Sequence, residues 1–172
     1  CGIGTYSAGA AAACTSCGAG METAAVASTL ISDCVNCGTG KYGPGAQACV
    51  VCAVGTYADT QGQATCTDCA VGKSAGSTAT VTCTDCAAGK YADTAGTVAC
   101  TDCAAGQYAL LGSDRCTNCP GGTSVALGAG VNLAACDDCV AGTYSVAGGL
   151  CTDCALGSYA IAGTADACTD CP

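Results

Sequence analysis

The sequence predicts a small disulfide-rich repeat fold. The expected architecture is an elongated rod of tandem disulfide-closed loops, made of turns and short two-stranded β ladders with little or no helix. Three observations carry this expectation. Cysteine supplies 21 of 172 residues, above the roughly 8–10 % that marks a disulfide scaffold. Ten Cys-x-x-Cys pairs recur from Cys14/Cys17 to Cys168/Cys171, with Cys1 alone at the front. The apolar content is mostly 36 Ala and the cysteines, with seven Leu, three Ile and no Phe or Trp. Burying a large aliphatic or aromatic side chain yields roughly 1.5–3 kcal/mol, and Ala far less. Ordering the backbone costs about 1–2 kcal/mol per residue. A core this small needs covalent or metallic help.

The repeat unit follows from the cysteines. Starting each module at the second Cys of a pair gives one tandem array of modules 1–16, 17–36, 37–51, 52–68, 69–85, 86–102, 103–118, 119–138, 139–153 and 154–170, with an eleventh opening at Cys171. The last four lengths repeat the first four in order, which suggests a six-module super-period of 102 residues. Three residues after each opening Cys stands a glycine: Gly4, Gly20, Gly40, Gly55, Gly72, Gly89, Gly106, Gly122, Gly142 and Gly157. Cys-x-x-Gly fits a four-residue turn with Gly where a side chain would clash.

Five residues after the opening Cys stands Tyr in seven modules: Tyr6, Tyr42, Tyr57, Tyr91, Tyr108, Tyr144 and Tyr159. Glu22, Ser74 and Ser124 take that place in the other three. The Tyr ring is expected to lie over the neighbouring disulfide as the one large apolar surface of its module, with a wet hydroxyl. An Asp before the second Cys of a pair suits an Asx-type turn. The 20-residue modules 17–36 and 119–138 lack Tyr but carry Val26, Leu30 and Ile31, and Val125, Leu127, Val131 and Leu133. Those residues are expected to pack locally in place of the ring, with a lateral contact patch as the other reading.

Two roles are open to the cysteines. In a disulfide ladder the second Cys of one pair bonds the first Cys of the next: Cys1–Cys14, Cys17–Cys34, Cys37–Cys49, Cys52–Cys66, Cys69–Cys83, Cys86–Cys100, Cys103–Cys116, Cys119–Cys136, Cys139–Cys151 and Cys154–Cys168. Only Cys171 is then left, to pair with a Cys beyond the segment. A closed loop of about 15 residues is worth roughly 3 kcal/mol in the chain-entropy model. The alternative is an array of Cys₄ zinc sites. Against it, most gaps between pairs are shorter than the usual motif, and the chain has only four Lys and Arg to balance the thiolate charge. Parity favours the ladder.

The pattern C-x-x-G-x-Y…C-x-x-C resembles the cysteine-rich repeats of ephrin-type receptors and the first sub-module of tumour-necrosis-factor-receptor repeats. The stretch from Cys86-Ala-Ala-Gly-Lys-Tyr91 through Cys100-Thr-Asp-Cys103 carries it best. In that family the opening Cys of such a loop bonds the Cys that closes it, so the resemblance implies the same ladder. The second sub-module of the receptor repeats, with crossed disulfides, has no counterpart here. Arrays of this simple loop also resemble protist surface-coat proteins such as ciliate immobilisation antigens.

Composition then narrows the function. Without His there is no Ser–His–Asp triad, Cys–His pair or imidazole metal ligand, and no enzyme is expected. A net charge of −9 opposes binding to nucleic acid or anionic membrane surfaces, and no apolar run has membrane-spanning length. No cofactor or metal is expected. Asp68, Asp85, Asp102, Asp153 and Asp170 read as solvated turn residues, since nothing resembles a calcium loop. Lys41, Lys73, Lys90 and Arg115 read as isolated solubilising residues. Thr15, Thr67, Thr84, Thr101, Thr117, Thr152 and Thr169 follow the first Cys of a pair; they are candidate O-glycan sites or β-branched strand residues.

The expected protein is a secreted or cell-surface structural repeat in a coat, fibre or filament, self-associating or resting on neighbouring repeats of its own chain. A cysteine-rich receptor ectodomain gripping a protein ligand is the alternative. Both ends fall within a repeat, so a longer array is expected.

Overall fold

The computed structural model describes residues 1–9 and 13–172; residues 10–12, inside the first module, lie outside the described residues. The chain forms tandem disulfide-closed units with short antiparallel ladders and two brief 3₁₀ turns. Ten two-stranded ladders follow one another, one per module. They pair Thr5–Tyr6 with Thr15–Ser16, Met21–Thr23 with Cys34–Asn36, Lys41–Tyr42 with Val50–Val51, Thr56–Tyr57 with Thr67–Asp68, and Lys73–Ser74 with Thr84–Asp85. The rest pair Lys90–Tyr91 with Thr101–Asp102, Gln107–Tyr108 with Thr117–Asn118, Thr123–Ser124 with Asp137–Asp138, Thr143–Tyr144 with Thr152–Asp153, and Ser158–Tyr159 with Thr169–Asp170. The 3₁₀ turns, Ile31–Asp33 and Leu133–Ala135, belong to the two 20-residue modules.

The turn opening each ladder lies one residue later than Cys-x-x-Gly suggests. The Thr56 amide donates to the Ala53 carbonyl at 3.2 Å, and Lys90 to Ala87 at 3.0 Å. Gly55 and Gly89 are therefore third in their turns, at φ +81° and +83°, where a type II turn needs a positive φ. Each ladder is lengthened by one bond, since the next module's opening Cys donates back to this glycine, as Cys103 does to Gly89 at 2.9 Å.

The chain divides into two compact units. One comprises Cys1–Ala70, Ser74–Thr84 and Ala95–Ala99; the other comprises Val71–Lys73, Asp85–Thr94 and Cys100–Pro172. Inside the first, Gly40 donates to Ala58 at 2.8 Å, Ala79 to Cys52 at 2.9 Å and Ala58 to Thr80 at 3.1 Å. Inside the second, Gly72 donates to Ala92 at 2.8 Å, Gly112 to Cys86 at 2.8 Å and Ala92 to Ser113 at 3.3 Å. All six bonds link one module to the next, so main-chain bonding between repeats supplies order that side-chain burial cannot.

The buried centre consists of the opening cysteines and the residue after the Tyr position. Cys37, Cys52, Cys69, Cys86, Cys103, Cys119 and Cys139 are at most 1 % exposed. Thr23, Ala58, Ala75, Ala92, Ala109, Val125, Ser145 and Ala160 are also buried, and each stands six residues after its opening Cys. Only a small side chain fits where two modules meet main chain to main chain. The tyrosines are peripheral to this centre: six are half-buried, and Tyr159 is exposed.

Local packing of the long modules' apolar residues does not occur. Val26, Leu30 and Ile31 are exposed, as are Leu127, Val131 and Leu133. Val125 alone is buried, because it occupies the position after the missing Tyr. The longer loops extend beyond what one module can cover, so their apolar tips face solvent.

Candidate functional site

The cysteines form ten bridges: Cys1–Cys14, Cys17–Cys34, Cys37–Cys49, Cys52–Cys66, Cys69–Cys83, Cys86–Cys100, Cys103–Cys116, Cys119–Cys136, Cys139–Cys151 and Cys154–Cys168. Their Cα atoms stand 5.5 Å apart in the first and 5.8 Å in the last, inside the range a relaxed bridge spans. Cys171 is free and exposed, and its amide donates to Gly157 at 2.8 Å, as each opening Cys from Cys17 to Cys154 donates to the glycine of the module before it. A bridged sulfur offers no thiolate to zinc. Among the described residues, no three His, Cys, Asp or Glu side chains gather as a metal site.

The structure gives the glycines a second task beyond their turn. A methyl on Gly89 would lie 2.7 Å from the Gly128 carbonyl oxygen, and one on Gly106 would lie 2.5 Å from that of Gly148. The covering carbonyl belongs to the module two further along, so the repeat lets backbone approach backbone at one point per step. Nothing lies within 4 Å of the same position on Gly142 or Gly157.

Cross-strand register defines a face that recurs in six modules. Tyr6 stands opposite Thr15, Tyr57 opposite Thr67, Tyr91 opposite Thr101, Tyr108 opposite Thr117, Tyr144 opposite Thr152 and Tyr159 opposite Thr169. Tyr42 faces Val50. All seven of these threonines, Thr84 included, are exposed. Beside this face the surface opens into shallow notches. One of about 430 Å³ is lined by Tyr42, Val50, Val51 and Thr56, and one of about 310 Å³ by Tyr91, Asp102, Ala104 and Gln107.

Where Tyr is replaced, the substitute ties two modules together. The Glu22 carboxylate accepts from the Cys49 amide at 2.7 Å, and the Ser124 hydroxyl donates to the Gly149 carbonyl at 3.0 Å. Thr23 and Ser145 act similarly from the buried position: Thr23 accepts from the Gly4 amide at 3.0 Å, and Ser145 donates to the Thr123 carbonyl at 2.8 Å. The sequence signal was present as polar residues at module positions otherwise held by Tyr or Ala. Their partners lie 19 to 27 residues away, so only the fold reveals them.

Several acidic residues are engaged in ion pairs at the surface. Asp85 pairs with Lys73 and Asp102 with Lys90, each at 2.5 Å directly across its ladder. Arg115 forms a two-pronged contact with Asp114, at 3.0 and 3.3 Å. Three of the four cations are therefore paired, not isolated; Lys41 stands opposite Val51. Arg115 holds the Asp114 carboxyl below its ordinary pKa, mainly through that hydrogen bond, and is itself raised by Asp114. Asp68, Asp85 and Asp102 also lie over the loop glycines Gly96, Gly112 and Gly128, with Oδ1 3.6, 3.3 and 3.3 Å from where a Cβ would stand. A Cβ would fit in ordinary contact at Gly96 and tightly at Gly112 and Gly128.

Residues 38–80 and 72–110 match the family model for tyrosine-protein kinase ephrin type A/B receptor-like domains. The two overlapping stretches together span less than half of the chain. They contain three whole bridged loops, Cys52–Cys66, Cys69–Cys83 and Cys86–Cys100, and the Lys73–Asp85 and Lys90–Asp102 pairs. None of the curated proteins searched matches the chain. The ephrin-receptor-like stretch and the ten bridges fit an oxidising, extracellular setting. Among the described residues, no helix is long and apolar enough to cross a membrane.

Proposed function

We propose that this chain is a non-enzymatic structural repeat of a cell-surface coat or fibre, self-associating and without a cofactor. The observation that supports this most is that each repeat spends its distinctive residues on its neighbours. The glycine after the opening Cys, the buried small residue and the opening Cys itself are all used in main-chain bonds between modules, as at Gly72, Ala92 and Cys86. Solenoid-type arrays derive stability from such nearest-neighbour terms, and the bridge in each module limits how far a local opening can spread. Resemblance of the simple loop to ciliate surface antigens agrees with this reading.

Negative-stain microscopy of the native surface material tests it. Filaments or a continuous layer decorated along their length by antibody to the chain are expected. Discrete particles bound one-to-one to a soluble protein partner would overturn the coat reading. They would favour a receptor ectodomain, which the ephrin-receptor-like match at 38–110 makes the second reading.

A further inference from the structure

The hydroxyl side chains of the ladders fall into two groups. On first strands they are tied down: Thr56 donates to Ala53 at 2.9 Å, Thr123 to Pro120 at 2.9 Å, Thr143 to Val140 at 2.8 Å and Ser158 to Ala155 at 2.8 Å. On second strands the hydroxyls of Thr15, Thr67, Thr84, Thr101, Thr117 and Thr169 have no hydrogen-bond partner among the described residues, and all are exposed. Thr152 makes only a long contact, 3.3 Å to Leu150.

Strand shape alone does not require these hydroxyls. Val35 and Val50 hold the same position in two modules, and their ladders form equally well. The surface also carries exposed large apolar side chains. Val54, Val71, Val98, Leu110 and Leu111 are all exposed.

We propose that the second-strand threonines carry O-linked sugars, each first sugar resting against the Tyr ring across the ladder where the module has one, Thr84 lying instead on the Ser74 strand's ladder. In the transfer, Thr Oγ1 bonds the anomeric carbon of a nucleotide-activated sugar. The anomeric bond to the diphosphate breaks, the nucleoside diphosphate leaves, and the hydroxyl proton passes to the transferase. No electrons are exchanged with an oxidant. Directly opposed side chains stand about 4.5–5.5 Å apart at Cβ, so a pyranose on Thr101 meets the half-buried Tyr91 and the notch beside it. The apolar C–H face of the sugar suits an aromatic ring, and its outer hydroxyls cover neighbouring valines and leucines. This inference rests on exposure and hydrogen bonding, and stands whether or not the coat reading holds.

Protein purified from the cells that make it is reduced, cleaved at Lys and Arg, and sequenced by sugar-retaining fragmentation. Peptides 42–73, 74–90 and 91–115 are expected to be heavier by whole sugar residues, placed on Thr67, Thr84 and Thr101, while Thr56 stays bare. Unmodified masses throughout, or sugars confined to loop hydroxyls such as Thr60 or Ser77, overturn the proposal. In the same cells Thr101→Val is expected to strip peptide 91–115 and Thr101→Ser to restore it. An intact Cys86–Cys100 bridge shows that each variant folds. Sugar retained by Thr101→Val would also overturn it. Nuclear Overhauser contacts from Tyr91 ring protons to sugar C–H protons are expected, and a glycosylated Thr101 without them removes the stacking.

Discussion

Replacing Gly89 and Gly142 by alanine separates two reasons for the same residue. Their backbones match, with φ +83° and +86°, and each amide donates to the next module, Gly89 to Ala109 at 2.8 Å and Gly142 to Ala160 at 2.9 Å. They differ in what a methyl meets: the Gly128 carbonyl oxygen at 2.7 Å in one case, and nothing within 4 Å in the other. Left-handed backbone costs an alanine about 1–2 kcal/mol, offset by about 0.4–1 kcal/mol from the stiffer unfolded chain. Gly142→Ala should therefore lose about 1 kcal/mol.

Gly89→Ala carries the same cost and must also push the Gly128 carbonyl back toward an ordinary carbon–oxygen separation of about 3.3–3.6 Å. That movement strains the Gly89 bond to Ala109 and the Gly128 amide's 3.1 Å bond to Cys103. Weakening two net contributions of about 0.5–1.5 kcal/mol each brings the expected loss to about 2–4 kcal/mol. Because long repeat arrays depart from two-state unfolding, amide hydrogen exchange with the bridges intact is the suitable assay. Each 1.4 kcal/mol appears as about a tenfold faster exchange, so the Gly89 and Gly128 amides should exchange about tenfold or more faster than Gly142 does in its own variant. Equal acceleration in both variants would refute the argument from backbone approach, and no acceleration in either would refute the argument from φ.

Three further outcomes are expected. Ala58→Leu, at a fully buried site, should destabilise its neighbourhood by about 1–3 kcal/mol through overpacking, seen as lost protection at Ala58 and Ala79. Replacing Cys86 and Cys100 together by Ala opens a loop with a sequence separation of 14. It should cost about 2–5 kcal/mol, with new protease cuts confined to residues near 86–102. Arg115→Ala should raise the Asp114 pKa toward its ordinary value, followed by NMR titration. Because the folded pKa is the depressed one, any stabilisation from the pair is present above the unfolded pKa and fades as pH falls through the folded value. The pair is fully exposed, so the change in stability is expected to be small.

The sequence by itself determined the local architecture. Bridged cysteines 12 to 17 residues apart, a glycine three places after each opener and too little apolar bulk for a packed sheet leave short ladders and turns as the available solution, because each is specified within a few residues. Tertiary structure decided what one module's sequence does not contain. The alanine after Tyr57 looks neutral in sequence, yet it is buried because the next module's backbone approaches it. Gly89 looked like a turn residue, and its second constraint comes from a carbonyl 39 positions away. Leu30 and Ile31 looked like substitutes for a ring, but the long loop of the 20-residue module leaves both exposed. Lys73 and Lys90 looked isolated until ladder register set them opposite Asp85 and Asp102. Turn chemistry acts over four residues and is legible in the chain; contacts between repeats depend on how far one loop advances past the next, and only the folded backbone sets that distance.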